Sequence, residues 1–148
     1  MTTEFDRDLA NCRSELDAAR AQLLAGLGAV SDADLERARR GGWTVQRVLE
    51  HVIWSELVYG RLVNHLRGQP GTQGDMPECK PDSVADARAR LQASREALLA
   101  AIEGVDEDTF YRIGAIGHEE YSVISIIENT VSHDREHAEQ IEAIVARA

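Results

Sequence analysis

The feature that most narrows what this chain can fold into is a three- and four-residue recurrence of apolar side chains over four long stretches. In the first, residues 4–27, Phe5, Leu9, Cys12, Leu16, Ala19, Leu23 and Leu27 share one helical face. Gly26 and Gly28 weaken its end. Ser31-Asp32 opens a turn or short helix reaching Arg39, and Gly41-Gly42 breaks it. The second stretch, 44–67, starts with Thr44 as N-cap and turns Val45, Val48, Leu49, Val52, Ser55, Val58/Tyr59, Leu62 and Leu66 inward. The third runs from residue 82 or 83 to 103, with Val84, Ala87, Leu91, Ser94, Leu98 and Ile102 inward. The fourth begins near Ser122 and runs almost to the C-terminus. Strand alternation competes over no long window. The expected fold class is therefore all-α, an antiparallel four-helix bundle, as one domain over residues 1–148. A chain of this length can bury a sufficient core, and with aromatics at only 5% that core must be mainly Leu, Ile, Val and Ala.

Two connections stand out. Residues 68–81 contain all three prolines and three glycines, the longest irregular stretch, and suit a rim or lid. Residues 104–121 include Thr109-Phe110-Tyr111 and a Gly114-x-x-Gly117-His118 run, with room for a short extended piece. A faint repeat aligns Trp43-Thr44-Val45-x-x-Val48-Leu49-Glu50-His51 with Tyr121-Ser122-Val123-x-x-Ile126-Ile127-Glu128-Asn129. The second and fourth helices are expected to begin alike, across a pseudo-two-fold axis.

Charge restricts the function classes. With 26 acidic and 16 basic residues the formal net charge is −10, which repels nucleic acid and anionic membrane surfaces. The Arg37, Arg39, Arg40 group lies among Asp32, Asp34 and Glu36 and reads as a solvated mixed-charge segment. The N-terminal Met-Thr-Thr-Glu-Phe-Asp is acidic with no apolar h-region, and no apolar run is long enough to span a bilayer, so a cytoplasmic protein is expected. Cys12 and Cys79 form no disulfide framework. Cys12 reads as a small apolar residue and Cys79 as a loop thiol with only Lys80 nearby to activate it.

The chemistry-bearing residues are histidines. His133 and His137 are four apart, so they stack on one face, and they interrupt the apolar stripe Val123, Ile126, Ile127, Thr130, Ile141, Ile144. Two imidazoles buried without partners are costly, and a metal ion removes that cost because neutral imidazole is the ligating form. His51 lies between Val48 and Ser55, on or beside the inward face of the second helix. Three inward histidines can supply a three-nitrogen set with an open position for water or substrate. His65 and His118 are expected at the surface. His133-Asp134-Arg135-Glu136-His137 also reads as H-x-x-E-H, the inverted zinc-peptidase signature. That chemistry needs a further ligand well downstream, and only eleven residues follow His137. Glu136 is expected outside, and Asp134 either outside or supporting a ligand histidine.

Trp43-Thr44-Val45-x-x-Val48-Leu49-x-His51, then Tyr121-Ser122-Val123, then His133-Asp134-x-x-His137-x-x-Gln140-Ile141, resembles the DinB/YfiT-like superfamily over nearly the whole chain. The resemblance implies an up-down-down-up four-helix bundle, often a homodimer. It implies a divalent metal, zinc or nickel, on the one histidine of the second helix and the two of the fourth, here His51, His133 and His137. Related members include S-transferases and maleylpyruvate isomerases that use bacillithiol, mycothiol or glutathione. The additional domain of the isomerase-like relatives has no counterpart in these residues, and no clear thiol-recognition motif is found.

The reading that follows is a metal-dependent enzyme acting on a small-molecule substrate. Its metal would lower the pKa of water or ionise a low-molecular-weight thiol for attack on an electrophile. No general base is identifiable beyond Glu50, Asp134 and Glu136 as weak candidates. The alternatives are a non-catalytic metal- or ligand-binding stress-response protein and a plain helical scaffold. Zinc is the default ion by ligand type, with nickel next.

Overall fold

The computed structural model describes residues 2–69 and 74–146. The four periodic stretches are four long helices: α1 (Glu4–Leu27), α2 (Val45–Leu66), α3 (Val84–Ile102) and, after a short α4 (Glu107–Tyr111), α5 (Val123–Val145). Each long helix starts at a side-chain cap. Thr3, Thr44, Ser83 and Ser122 accept from the backbone N–H three residues on, satisfying a donor the first turn leaves free. The expected turn after α1 is a 3-10 helix, Asp32–Glu36.

Cross-helix pairs fix the chain directions. Arg13 meets Glu103 and Arg88 reaches the Leu24 carbonyl, so α1 and α3 are antiparallel. Gln46 meets the Pro81 carbonyl and Arg67 the Ala101 carbonyl, so α2 and α3 run parallel. Arg135 pairs with Glu15, while Gln22 lies beside Ala138 and Glu142, so α5 runs parallel to α1. The order is up-down-down-up. Backbones approach most closely between α2 and α3, α1 and α5, and α2 and α5.

Two apolar clusters fill the bundle. One, around Leu23, Leu27, Leu49, Leu91 and Ile141, lies where α2 begins; the other, around Leu16, Val63, Leu98, Phe110 and Ile126, lies at the opposite end. Between them is a buried ionic layer with one member from each long helix: Arg20, Glu56, Arg95 and Asp134. Arg20 Nε donates to Asp134 at 3.1 Å and its Nη2 to Glu56 at 3.0 Å. Arg95 Nε donates to Glu56 and its Nη2 to Asp134, both at 2.8 Å. The remaining Nη1 groups donate to the Leu91 and Leu16 carbonyls at 2.8 and 3.0 Å, closing the seam between α1 and α3. Burial opposes the Arg20 charge, but Glu56 and Asp134 more than offset it and raise its pKa. Among the described residues, no buried side-chain nitrogen or oxygen lacks a partner. Asp134 is therefore neither exposed nor placed against a histidine. It faces the two guanidiniums.

The inward face of α2 also departs from expectation in its second half. Ile53, Glu56, Gly60 and Val63 are buried, while Tyr59, Leu62 and Leu66 are only partly covered. This helix packs against both α3 and α5, so its buried arc is wider than one apolar stripe, and a charged residue falls within it.

The connection after α3 holds more structure than its sequence pattern predicts. α4 presses Phe110 fully into the core, in edge contact with Phe5 at 5.3 Å between ring centroids. A two-stranded antiparallel hairpin follows, β1 (Gly114–Ile116) and β2 (Glu119–Tyr121), with Ile116 opposite Glu119. Gly117 at φ +64° supplies the left-handed residue that its two-residue turn requires.

Because α2 and α3 are parallel, the connection between them returns along the bundle. Pro70 and Gly71, part of the expected rim or lid, lie outside the described residues. Gly74 is still level with Arg61, whose Nη1 donates to its carbonyl, whereas Pro81 is level with Gln46. That interval of α2 is about 22 Å at 1.5 Å per residue. Seven residues of chain cover it only when almost fully extended, and Pro77 and Pro81 favour that conformation. No helix among the described residues is long and apolar enough to cross a membrane.

Candidate metal centre

Thr44 sets the start of α2, and with it the direction of the next two turns. Trp43, Arg47, Glu50, His51 and Trp54 follow at helical spacing and share one flank, with His51 on the edge nearest α5. On α5, His133 and His137 stack four residues apart. The antiparallel packing of α2 on α5 then brings all three rings together. His133 Nε2 lies 3.0 Å from His51 Nε2 and 3.1 Å from His137 Nε2. One ring nitrogen from each histidine lies within 4.8 Å of the others.

Hydrogen bonding alone does not account for this triangle. His137 Nδ1 lies 2.6 Å from Gln140 Oε1, a carbonyl that only accepts. Nδ1 of a neutral ring then carries the proton, and Nε2 is a bare lone pair. The single proton available to His133 Nε2 can serve one neighbour, leaving the other contact without a donor whenever His133 itself supplies the bond. If His51 donates instead, two lone pairs still face each other between His133 and His137. A divalent cation satisfies all three nitrogens together. Donors 2.0–2.1 Å from an ion, at right or tetrahedral angles, stand about 2.9–3.4 Å apart, and both close pairs fall in that interval.

The electrostatics agree. Burial, then His137 and His51, pushes the His133 pKa down to about 4, against a smaller upward pull from Glu56. Burial, His137 and Arg47 lower that of His51. Both rings are thus held neutral, the form that can ligate a metal. Around them, Trp43 contacts His51 edge-on at 5.2 Å and Tyr59 contacts His133 at 6.2 Å between centroids.

His51 opens on a cleft of about 380 Å³. Trp43, just before the α2 cap, and Arg47, Glu50 and Trp54 of α2 form one wall, and the extended Met76–Cys79 segment forms the other. Residues 76–79 of the connection expected to form a rim or lid are therefore a rim of this cleft. Arg47 lies over the Trp43 ring at 5.0 Å. The tryptophans and Arg47 were not singled out as site residues from sequence, although their three- and four-residue spacing on the polar flank of α2 is the signal that places them together.

The remaining candidates sort clearly. His65 and His118 are exposed, as expected. Cys79 is buried with its thiol donating to the Pro77 carbonyl, and burial together with Glu78 and Glu50 raises its pKa, so it is no activated thiol. Burial, Glu128 and Asp8 raise Cys12 to about 11, consistent with a core role. Glu136 is exposed. Of the three candidate bases, only Glu50 lines the cleft. α2 and α5 do begin alike, with Thr44 and Ser122 as caps, but Asn129, the counterpart of His51, is exposed.

Comparison with known proteins gives one result. The family model described as DinB superfamily matches residues 15–141. No curated protein matches, and no solved structure matches.

Proposed function

The chain belongs to the DinB superfamily, and from that membership we propose that it is a metal-dependent enzyme whose ion is held by His51, His133 and His137. The observation that carries this reading is the triangle of facing ring nitrogens, with His133 at ligand spacing from both others and too few protons to share. A divalent ion on three imidazoles supplies an electrophilic position that lowers the pKa of a water or thiol ligand.

The chain's own residues do the rest. Gln140 fixes the His137 ring so that Nε2 faces the centre. The indole of Trp43 and the ring of Tyr59 keep the His51 and His133 rings partly dry. The cleft beside His51, about 380 Å³, has room for a small molecule. We assign thiol transfer to an electrophile, ahead of hydrolysis, on the strength of the family resemblance. Zinc is the default ion and nickel the next. A cytoplasmic homodimer is part of the same reading.

Elemental analysis of protein purified without a polyhistidine tag tests the centre. A stoichiometric divalent ion is expected, and none in a His133→Ala/His137→Ala variant that keeps its helical circular dichroism. Retention of the ion by that variant would overturn the assignment. Loaded protein is then offered electrophiles with bacillithiol, mycothiol or glutathione. Turnover above that of His51→Ala supports the transferase. Equal rates would leave a metal-binding protein without this activity.

A further inference from the structure

The cleft beside His51 carries an arrangement of charge that the metal centre does not use. Arg47 and Glu50 are three apart on α2, a spacing at which opposite charges ordinarily pair. Both line the cleft, yet they do not pair with each other. Among the described residues, Arg47 has no carboxylate within salt-bridge distance, and Glu50 has no cationic partner. The deep guanidiniums of this chain are, by contrast, fully engaged: Arg20 and Arg95 each meet two carboxylates and a backbone carbonyl. The Arg47 guanidinium is instead laid on the Trp43 face, which fixes its plane while leaving its N–H edge free.

Negative charge lies close by. Glu50 is one turn on from Arg47 along the same wall, and Glu78 stands on the facing Met76–Cys79 segment; both lie near enough to Cys79 to raise its thiol pKa. Arg90 donates to the Glu78 backbone carbonyl from outside the cleft lining. Two indoles stand along the same wall, Trp43 at 41% exposure and Trp54 at 47%. So much aromatic surface at a cleft mouth suits a ligand that covers it.

We propose that this cleft binds a small zwitterion with an apolar or aromatic body, an amino-acid-like molecule. Its carboxylate meets Arg47, its ammonium meets Glu50 and Glu78, and its body lies against Trp43 and Trp54. A simple monocarboxylate leaves Glu50 facing it uncompensated, and a simple amine leaves Arg47 so. Glu78 already accepts from the Lys80 backbone N–H at 3.0 Å and adds to the negative field. Only a molecule carrying both charges close together answers both Arg47 and Glu50. The proposal rests on the metal-centre reading for what happens to the bound molecule, and stands apart from it for the binding itself.

Fluorescence tests it directly, because the only two tryptophans of the chain both line the cleft. Three probes of matched body are titrated: L-phenylalanine, hydrocinnamate, which lacks the ammonium, and phenethylamine, which lacks the carboxylate. L-phenylalanine is expected to bind about tenfold or more tighter than either, the loss expected when one charge-assisted hydrogen bond is removed. Arg47→Met should bring L-phenylalanine down to the affinity of phenethylamine and leave phenethylamine unchanged. A Glu50→Gln/Glu78→Gln variant should do the converse, with hydrocinnamate unchanged. Equal affinity of wild type for L-phenylalanine and either single-charge probe would overturn the proposal, as would no saturable response to any probe. Each titration is run on metal-loaded and on chelated protein, with metal content measured separately. Discrimination among probes by a chain that holds no ion would sink the metal centre alone, and an ion held without discrimination would sink the zwitterion alone.

Discussion

At His133 a wish to be protonated meets surroundings that refuse the proton. In solution the imidazole has a pKa near 6.5, while here burial and two neighbouring rings bring it down to about 4. The consequence for metal-free protein follows by linkage. Between pH ~6.5 and ~4 the unfolded chain takes up a proton that the folded chain rejects, so stability falls as pH falls through that window and is level above it. The lowered His51 adds in the same direction. Urea denaturation of chelated protein across that window should show the decline, and a His133→Phe variant should show a shallower one. Gln140 offers a second test at this scale. Gln140→Leu removes the acceptor on His137 Nδ1 and should weaken metal affinity about 10- to 100-fold, read by competition with a chromophoric chelator. Individual residues were unevenly legible. The three histidines were readable because imidazoles on an apolar stripe violate the pattern around them. Asp134, adjacent to one of them, was not: a lone carboxylate gives no sign that two guanidiniums from other helices enclose it.

Elements were legible where periodicity had length to act. The four long helices match their expected spans within a residue or two, because over twenty residues a stripe and a cap agree. α4 fell below that threshold, and of the hairpin the residue pattern shows only room for a short extended piece. Five residues show no helical period, and three-residue strands show no alternation. The late face of α2 was misjudged because a single stripe of apolar and small residues passes over Glu56. The cap of α2 carries a prediction of its own. Thr44 Oγ1 accepts from the Arg47 N–H at 3.1 Å, one turn before His51. Thr44→Ala should cost about 1 kcal/mol of stability, and Thr44→Ser should restore most of it, both read by urea denaturation. Because the first turn also positions Trp43 and Arg47, the alanine variant should also shift the emission of the cleft tryptophans.

On the scale of the whole molecule, the register of α2 against α5 decides whether three histidines meet, and the ionic layer controls that register. Glu56 lies five residues beyond His51, Asp134 immediately follows His133, and the same two guanidiniums from α1 and α3 grip both carboxylates. Asp134→Asn leaves two buried cations facing one carboxylate. It should cost about 3–5 kcal/mol in urea denaturation, far more than an exposed pair such as Arg112–Asp108. No reading along one dimension could have found this layer, since its members are separated by 36 to 114 positions. The parallel setting of α2 and α3 has a last consequence. A bundle wired in this order sends a length of its own backbone, drawn out nearly straight, past the end where the histidines meet. That ribbon makes one bank of the cleft beside His51, and within it Cys79 is anchored in the core. Its exposed side chains at Pro77 and Glu78 can be exchanged to reshape the cleft with the four pillars and the three histidines left standing.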